Sequence, residues 1–135
     1  MKRSQDYYHN RKLLRELDDS AKFKPQVEDL KEWFTILNQQ LFGNKLQPVT
    51  RLRVRKLKDI YGFYGYYKKR HKRHGRTQIT VTTSFPNKKT FVDILAHEMI
   101  HHFQNSHNEP VAHGPSFVCW SDNFKVKGIK LYKVT

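Results

Sequence analysis

Residues 97–101 read His97-Glu98-Met99-Ile100-His101. Two histidines four apart on an α-helix lie on one face, about 40° apart around the axis, so both imidazoles can reach a single ion. Glu98 falls toward the same side but is displaced from both. Its carboxylate would stand beside the ion rather than on it, placed to take a proton from a water as general base. Five of the eight histidines lie between residues 97 and 113.

A catalytic zinc takes three protein ligands and keeps a fourth position open. Four residues compete for the third place. His107 follows His97 at the metzincin spacing, but the glycine of that pattern is replaced by Gln104, which serves the required sharp turn poorly. Glu109 offers a carboxylate, although such ligands usually come from a second helix further on. His102 is adjacent to His101 and so about 100° round the helix. His113 precedes Gly114-Pro115, where a loop can return it to the ion.

These residues need a helix to carry them. Phe91, Ile94, Leu95, Met99 and Phe103 predict a central helix over about 91–105. Thr90 with Asp93 three residues on resembles a capping box at its start. Upstream, Val27, Leu30, Trp33 or Phe34, Leu37 and Leu41 recur at helical spacing between Pro25 and Gly43, an amphipathic supporting helix. A short helix around Tyr8–Leu17 is also expected. Alternation predicts strands over Arg51–Leu57, Ile60–Lys68 and Arg76–Thr83, joined by short links as an antiparallel meander. Pro115 opens a last helix to about Lys125 carrying Phe117, Trp120 and Phe124. Ile129–Val134 reads as a short closing strand. The expected class is α+β, with 1–24 a polar lead-in and 25–135 the domain.

Charge is concentrated. The chain carries a formal net charge of +14. Twelve basic residues and only Asp59 lie in residues 45–76, so that window holds 12 − 1 = +11. Lys68, Lys69, Arg70, Lys72, Arg73 and Arg76 sit at the predicted hairpin tip, after Tyr61, Phe63, Tyr64, Tyr66 and Tyr67. Cations neutralise phosphates and rings stack on unpaired bases, so this segment is expected to bind nucleic acid, with single-stranded or unpaired DNA favoured over duplex. Alternation divides Tyr61, Phe63 and Tyr67 from Tyr64 and Tyr66, one set for the core and one for bases. His71 and His74, set among these cations, would add phosphate contacts. The plainer reading is a solvated basic face.

A single cysteine, Cys119, excludes a disulfide framework and any Cys-x-x-Cys zinc site. No apolar run approaches a membrane span, and the polar N-terminus does not read as a secretory signal. The expected setting is intracellular, cytoplasmic or associated with the nucleoid or nucleus, with no membrane partner.

His97-Glu98-Met99-Ile100-His101, a short polar loop and then His113-Gly114-Pro115-Ser116-Phe117 together resemble the SprT-like metalloprotease domain, which includes the Spartan proteases. The resemblance extends to Leu41-Phe42-Gly43-Asn44-Lys45-Leu46, to Gly62–Thr83 and to Ile129–Val134, covering about residues 26–134. It implies a small zincin-like domain with one Zn2+ on His97, His101 and His113, Glu98 as the catalytic base, and hydrolysis of protein substrates. Tyr132 aligns with a tyrosine of the family's closing strand and could help the oxyanion, against a plain packing role. The loop between His101 and His113 is shorter than in Spartan-type members, and no zinc ribbon is readable, which suggests a minimal form. Spartan proteases degrade proteins crosslinked to DNA, so a DNA-bound protein substrate is the expectation by analogy. An exposed sheet edge near Ile79–Thr83 is expected to receive substrate as an added strand. The rival readings are a nucleic-acid-binding module with a structural zinc, and a protease steered to an acidic protein.

Overall fold

The computed structural model describes residues 4–15, 21–68, 72 and 75–132. The elements are α1 (Gln5–Arg15), α2 (Val27–Phe42), β1 (Arg51–Val54), β2 (Gly62–Tyr66), β3 (Thr77–Val81), α3 (Lys88–Ser106), α4 (Pro115–Val118) and α5 (Ser121–Val126). The class is α+β, as the sequence implies.

The supporting helix α2 begins where the Gln26 side chain and Asp29 cap each other's backbone N–H groups. It ends at Gly43, whose φ of 60° is the left-handed conformation that glycine adopts without steric cost. Its buried stripe of Leu30, Trp33, Ile36, Leu37 and Leu41 meets α3 in one core. α1 lies on the far side of α2, with Leu13 buried, Lys12 paired to Glu32 at 2.6 Å and the Gln40 side chain donating to Asp6 at 2.9 Å.

The sheet differs from the expected meander. Its order is β1-β3-β2, with β1 parallel and β2 antiparallel to β3. The reason lies in residues 55–61. Arg55 N bonds Val81 O at 3.0 Å, Leu57 N bonds Thr82 Oγ1 at 3.2 Å, and Thr82 N bonds Tyr61 O at 2.7 Å. The link therefore passes over the C-terminal end of β3, turning with Asp59 at φ 65°, and sets β2 on the other side. Its seven residues easily span the ~10 Å of two strand spacings. Ile79–Val81 is consequently the middle strand, not an edge, and cannot receive a substrate strand as expected. β2 is the outer strand beside α3.

The metal-bearing helix is longer than its apolar pattern suggested. Asn87, not Thr90, is its N-cap, and the Asn87 side chain accepts from Thr90 N at 2.8 Å. Asp93 serves elsewhere, accepting from Lys89 Nζ at 3.0 Å and from Lys130 N at 3.1 Å. The single last helix is two short ones. At the break the chain tightens to an i→i+3 bond, Trp120 N to Phe117 O, which turns the Trp120 ring onto Phe42 and Phe103. The described part of the closing segment, 129–132, forms no strand. It runs against α3 and gives its backbone groups to α3 side chains instead.

Candidate metal centre

α3 is buried nearly all round, so its histidines are held inside the domain: His97 is 0% exposed and His101 6%. The polar loop after α3 returns the chain, and α4 starts at Pro115 just after His113. The result is a triangle. The Nε2 atoms of His97, His101 and His113 lie 3.2 Å from one another on all three sides. Tetrahedral ligands at ~2.0–2.1 Å from a zinc ion are ~3.3–3.4 Å apart, close to this spacing.

The tautomers follow from the outer partners. His97 Nδ1 lies 2.6 Å from the Tyr132 carbonyl, an acceptor only, so Nδ1 carries the proton and Nε2 a lone pair. His101 Nδ1 donates to Gln104 Oε1 at 2.8 Å, with the same result. Two lone pairs then face each other at 3.2 Å inside the protein. A cation among them turns that repulsion into coordination, so the donor set fits a metal ion. Burial, and then the neighbouring His101, push the His97 imidazole down to about 3, and burial lowers His101 as well. Both are therefore neutral near pH 7, the form a metal requires. These three histidines could hold a metal ion.

Two residues that the spacing argument did not find complete the centre. Phe117, fully buried four residues after His113, packs against all three imidazoles, with ring centroids 4.7, 5.3 and 4.9 Å from His97, His101 and His113. Gln104, also 0% exposed, is the tether of the loop. Its Oε1 accepts from His101 Nδ1 and from Ala112 N at 3.3 Å, while its Nε2 donates to Ala112 O and Ser116 Oγ, both at 2.9 Å. One amide thus orients His101 and fixes the residue before His113. Only a side chain that both accepts and donates can do this.

The other candidate ligands stand elsewhere. His107 donates to Phe103 O at 2.8 Å with its ring on Phe103. His102 bonds Gln47 O at 2.7 Å through Nε2, and its Nδ1 accepts from the Tyr64 hydroxyl at 2.9 Å. Asn105 Nδ2 donates to that same hydroxyl, and burial pushes the Tyr64 phenol up to about 12. Glu109 lies at a cavity on the other side of α3's last turn. Glu98 is 2% exposed and lies under β2, where a Cβ on Gly62 would come 3.6 Å from Glu98 Cγ. The absence of a side chain at Gly62 lets the strand pass this close. Tyr132 enters the centre through its carbonyl, and the Lys130 ammonium lies 4.7 Å over its ring.

Of the hairpin cations, Lys68, Lys72 and Arg76 are exposed, and Lys69, Arg70 and Arg73 fall outside the described residues, as do His71 and His74. Tyr61 is 39% exposed and stacks on Phe85, Tyr66 is 44% and Tyr67 38% exposed, and Tyr64 faces α3. No helix among the described residues is long and apolar enough to cross a membrane.

The SprT-like family model matches residues 30–133, most of the chain. No curated protein matches it.

Proposed function

Because the chain belongs to the SprT-like family, we propose that it is a zinc-dependent endopeptidase acting on nucleic-acid-associated proteins. The observation that carries this reading is the 3.2 Å triangle of imidazole nitrogens with Glu98 on the same helix beside it. A zinc ion held there would polarise the scissile carbonyl and make a water acidic enough to attack near pH 7. Glu98 takes the proton of the attacking water and delivers it to the departing amine, so one group serves as base and then acid. His97 and His101 stay neutral and oriented through the Tyr132 carbonyl and Gln104. The substrate adds to the outer strand β2, which passes over Glu98 at Gly62. The Tyr132 phenol is the candidate oxyanion donor.

A structural zinc closes its shell with four protein ligands. The described residues bring three donors together, and His113 is exposed, so the cluster opens to solvent on its side. This favours the catalytic reading over the structural one. The basic hairpin supplies the proposed contact to DNA, through Lys68, Lys72 and Arg76 together with Lys69, Arg70 and Arg73. The test is hydrolysis of a DNA-binding protein, with and without single-stranded DNA, by wild type and Glu98→Gln. Glu98→Gln should keep zinc and fold while losing at least ~10²-fold in rate. Equal turnover in both proteins would remove Glu98 as the base.

A further inference from the structure

A cavity of about 680 Å³ bordered by described residues is lined by none of His97, His101 and His113. It opens where β2 leaves the sheet, between that end of the sheet and the last turn of α3. β2 connects it to the metal centre. Gly62 lies against Glu98, Tyr64 bonds His102 one helical turn further on, and Tyr66 lines the cavity. The strand therefore runs alongside α3 from the catalytic carboxylate to the cavity. Four residue steps at ~3.3 Å make the distance ~13 Å.

The register tells what an added peptide would meet. Thr82 N bonds Tyr61 O, so alternation along the antiparallel pair gives Phe63 and Gly65 to β3 and turns the backbone groups of Tyr64 and Tyr66 outward. Antiparallel pairing is the more stable per residue. A peptide added antiparallel to β2 has its N-terminal part at Tyr66 and its scissile bond near Gly62. The cavity walls combine rings and aliphatic groups, Tyr66, Tyr67, Pro48 and Val111, with the cations Lys68 and Arg76 against the single carboxylate of Glu109. Such a wall suits a ring or large apolar side chain whose same-face neighbour, two residues away, is acidic.

Resting on the endopeptidase reading, we propose that this cavity is a substrate subsite, taking an aromatic side chain about four residues N-terminal to the cleaved bond and an acidic one two residues before that aromatic, on the same face of the added strand. The cavity makes the enzyme read sequence at a distance from its metal. A single-stranded nucleic acid could also place a base between these rings, and the experiment separates the two.

Peptides of fixed length carry one Asp-Ala-Phe unit walked through a neutral background, and cut positions are mapped by mass spectrometry. Cuts should move in register with the unit, about four residues C-terminal to Phe, and Phe→Ala peptides should be cut about tenfold less efficiently. In Ser106→Trp, which fills the cavity from α3, that Phe-to-Ala ratio should fall to near one. Arg76→Glu, an exposed change, should remove the preference for Asp. Cut positions indifferent to the unit, or a ratio unchanged in both variants, would overturn the subsite. The same labelled peptides are titrated by fluorescence anisotropy onto Glu98→Gln. If wild type cuts nothing, the endopeptidase reading fails and the subsite's place relative to a cut bond falls with it, while Phe-dependent binding lost in Ser106→Trp would still establish the cavity as a peptide site. Phe-independent binding, with displacement by a thymidine oligonucleotide, would assign the cavity to bases and refute the proposal.

Discussion

Replacing Gln104 by Leu keeps the volume of the side chain and removes all four of its hydrogen bonds. Three of those involve Ala112, which is exposed, and Ser116, which is half-buried, so water can take them over. The fourth is His101 Nδ1–H, inside the protein, where no replacement is at hand. An unsatisfied buried donor costs ~1–3 kcal/mol. Without an ion, the neutral imidazole can carry its proton on Nε2, 3.2 Å from the Nε2 atoms of His97 and His113, so the cost appears when zinc takes that lone pair and returns the proton to Nδ1. At ~1.4 kcal/mol per decade, zinc Kd should rise about 5- to 150-fold, the range in which loss of an outer partner weakens metal sites, ~10–100-fold. Gln104→Glu keeps the acceptor for His101 but presents an acceptor to Ala112 O, so it should weaken zinc less while loosening the loop. The assay is chelator competition for zinc on both variants, with circular dichroism to verify the fold. A folded Gln104→Leu protein binding zinc within twofold of wild type would refute the tethering argument.

Gly62→Val places methyl groups where a Cβ alone would stand 3.0 Å from Ile94 Cγ2 and 3.1 Å from the Thr80 carbonyl. Overpacking of this kind costs ~1–3 kcal/mol, and β2 should move off Glu98. Thermal melting should show the loss, and wild-type stability would contradict the close approach. For zinc-free protein, stability should be complete above the ordinary histidine value of 6.5 and fall as pH drops toward 3. Unfolded His97 takes up a proton in that window and native His97 does not. A melting temperature flat between pH 7 and 4 would contradict its buried neutral state. If six hairpin cations contact phosphate, log K for single-stranded DNA should fall with log salt at a slope of roughly −4. Alanine at Lys69, Arg70, Lys72 and Arg73 should flatten it, and an unchanged slope would place binding elsewhere.

Both main helices and the His97, Glu98 and His101 spacing were readable because each depends on local periodicity. The features that were not readable depend on pairings distant in sequence. Sheet order turned on a link bonded to Val81 and Thr82, a contact that no alternation pattern records. The expected closing strand is no strand over its described residues 129–132, whose partners are instead Asp93 and His97 on a helix. Gln104 is the instructive case. Set against the metzincin pattern it marked a missing glycine, whereas in the fold its amide replaces that turn with hydrogen bonds to the loop. The hint in the sequence was a polar residue on a helix otherwise dense in apolar ones, three positions after His101.

The β1-β3-β2 order has a consequence for how the chain acquires its structure. Both outer strands leave the ribosome before the strand that joins them, and β1 pairs with residues 27 positions later, Arg51 with Gln78. Until Thr77–Val81 emerges, Arg51–Val54 and Gly62–Tyr66 have no ladder to enter. By sequence separation the β2–β3 pairing, Tyr66 with Thr77, is the local one, and the β1–β3 pairing is the long-range step. A nascent chain stalled before residue 77 would hold α2 without a sheet to support, and the helix with the histidines follows only afterwards. The order of synthesis thus delivers the scaffold first and the reactive residues last.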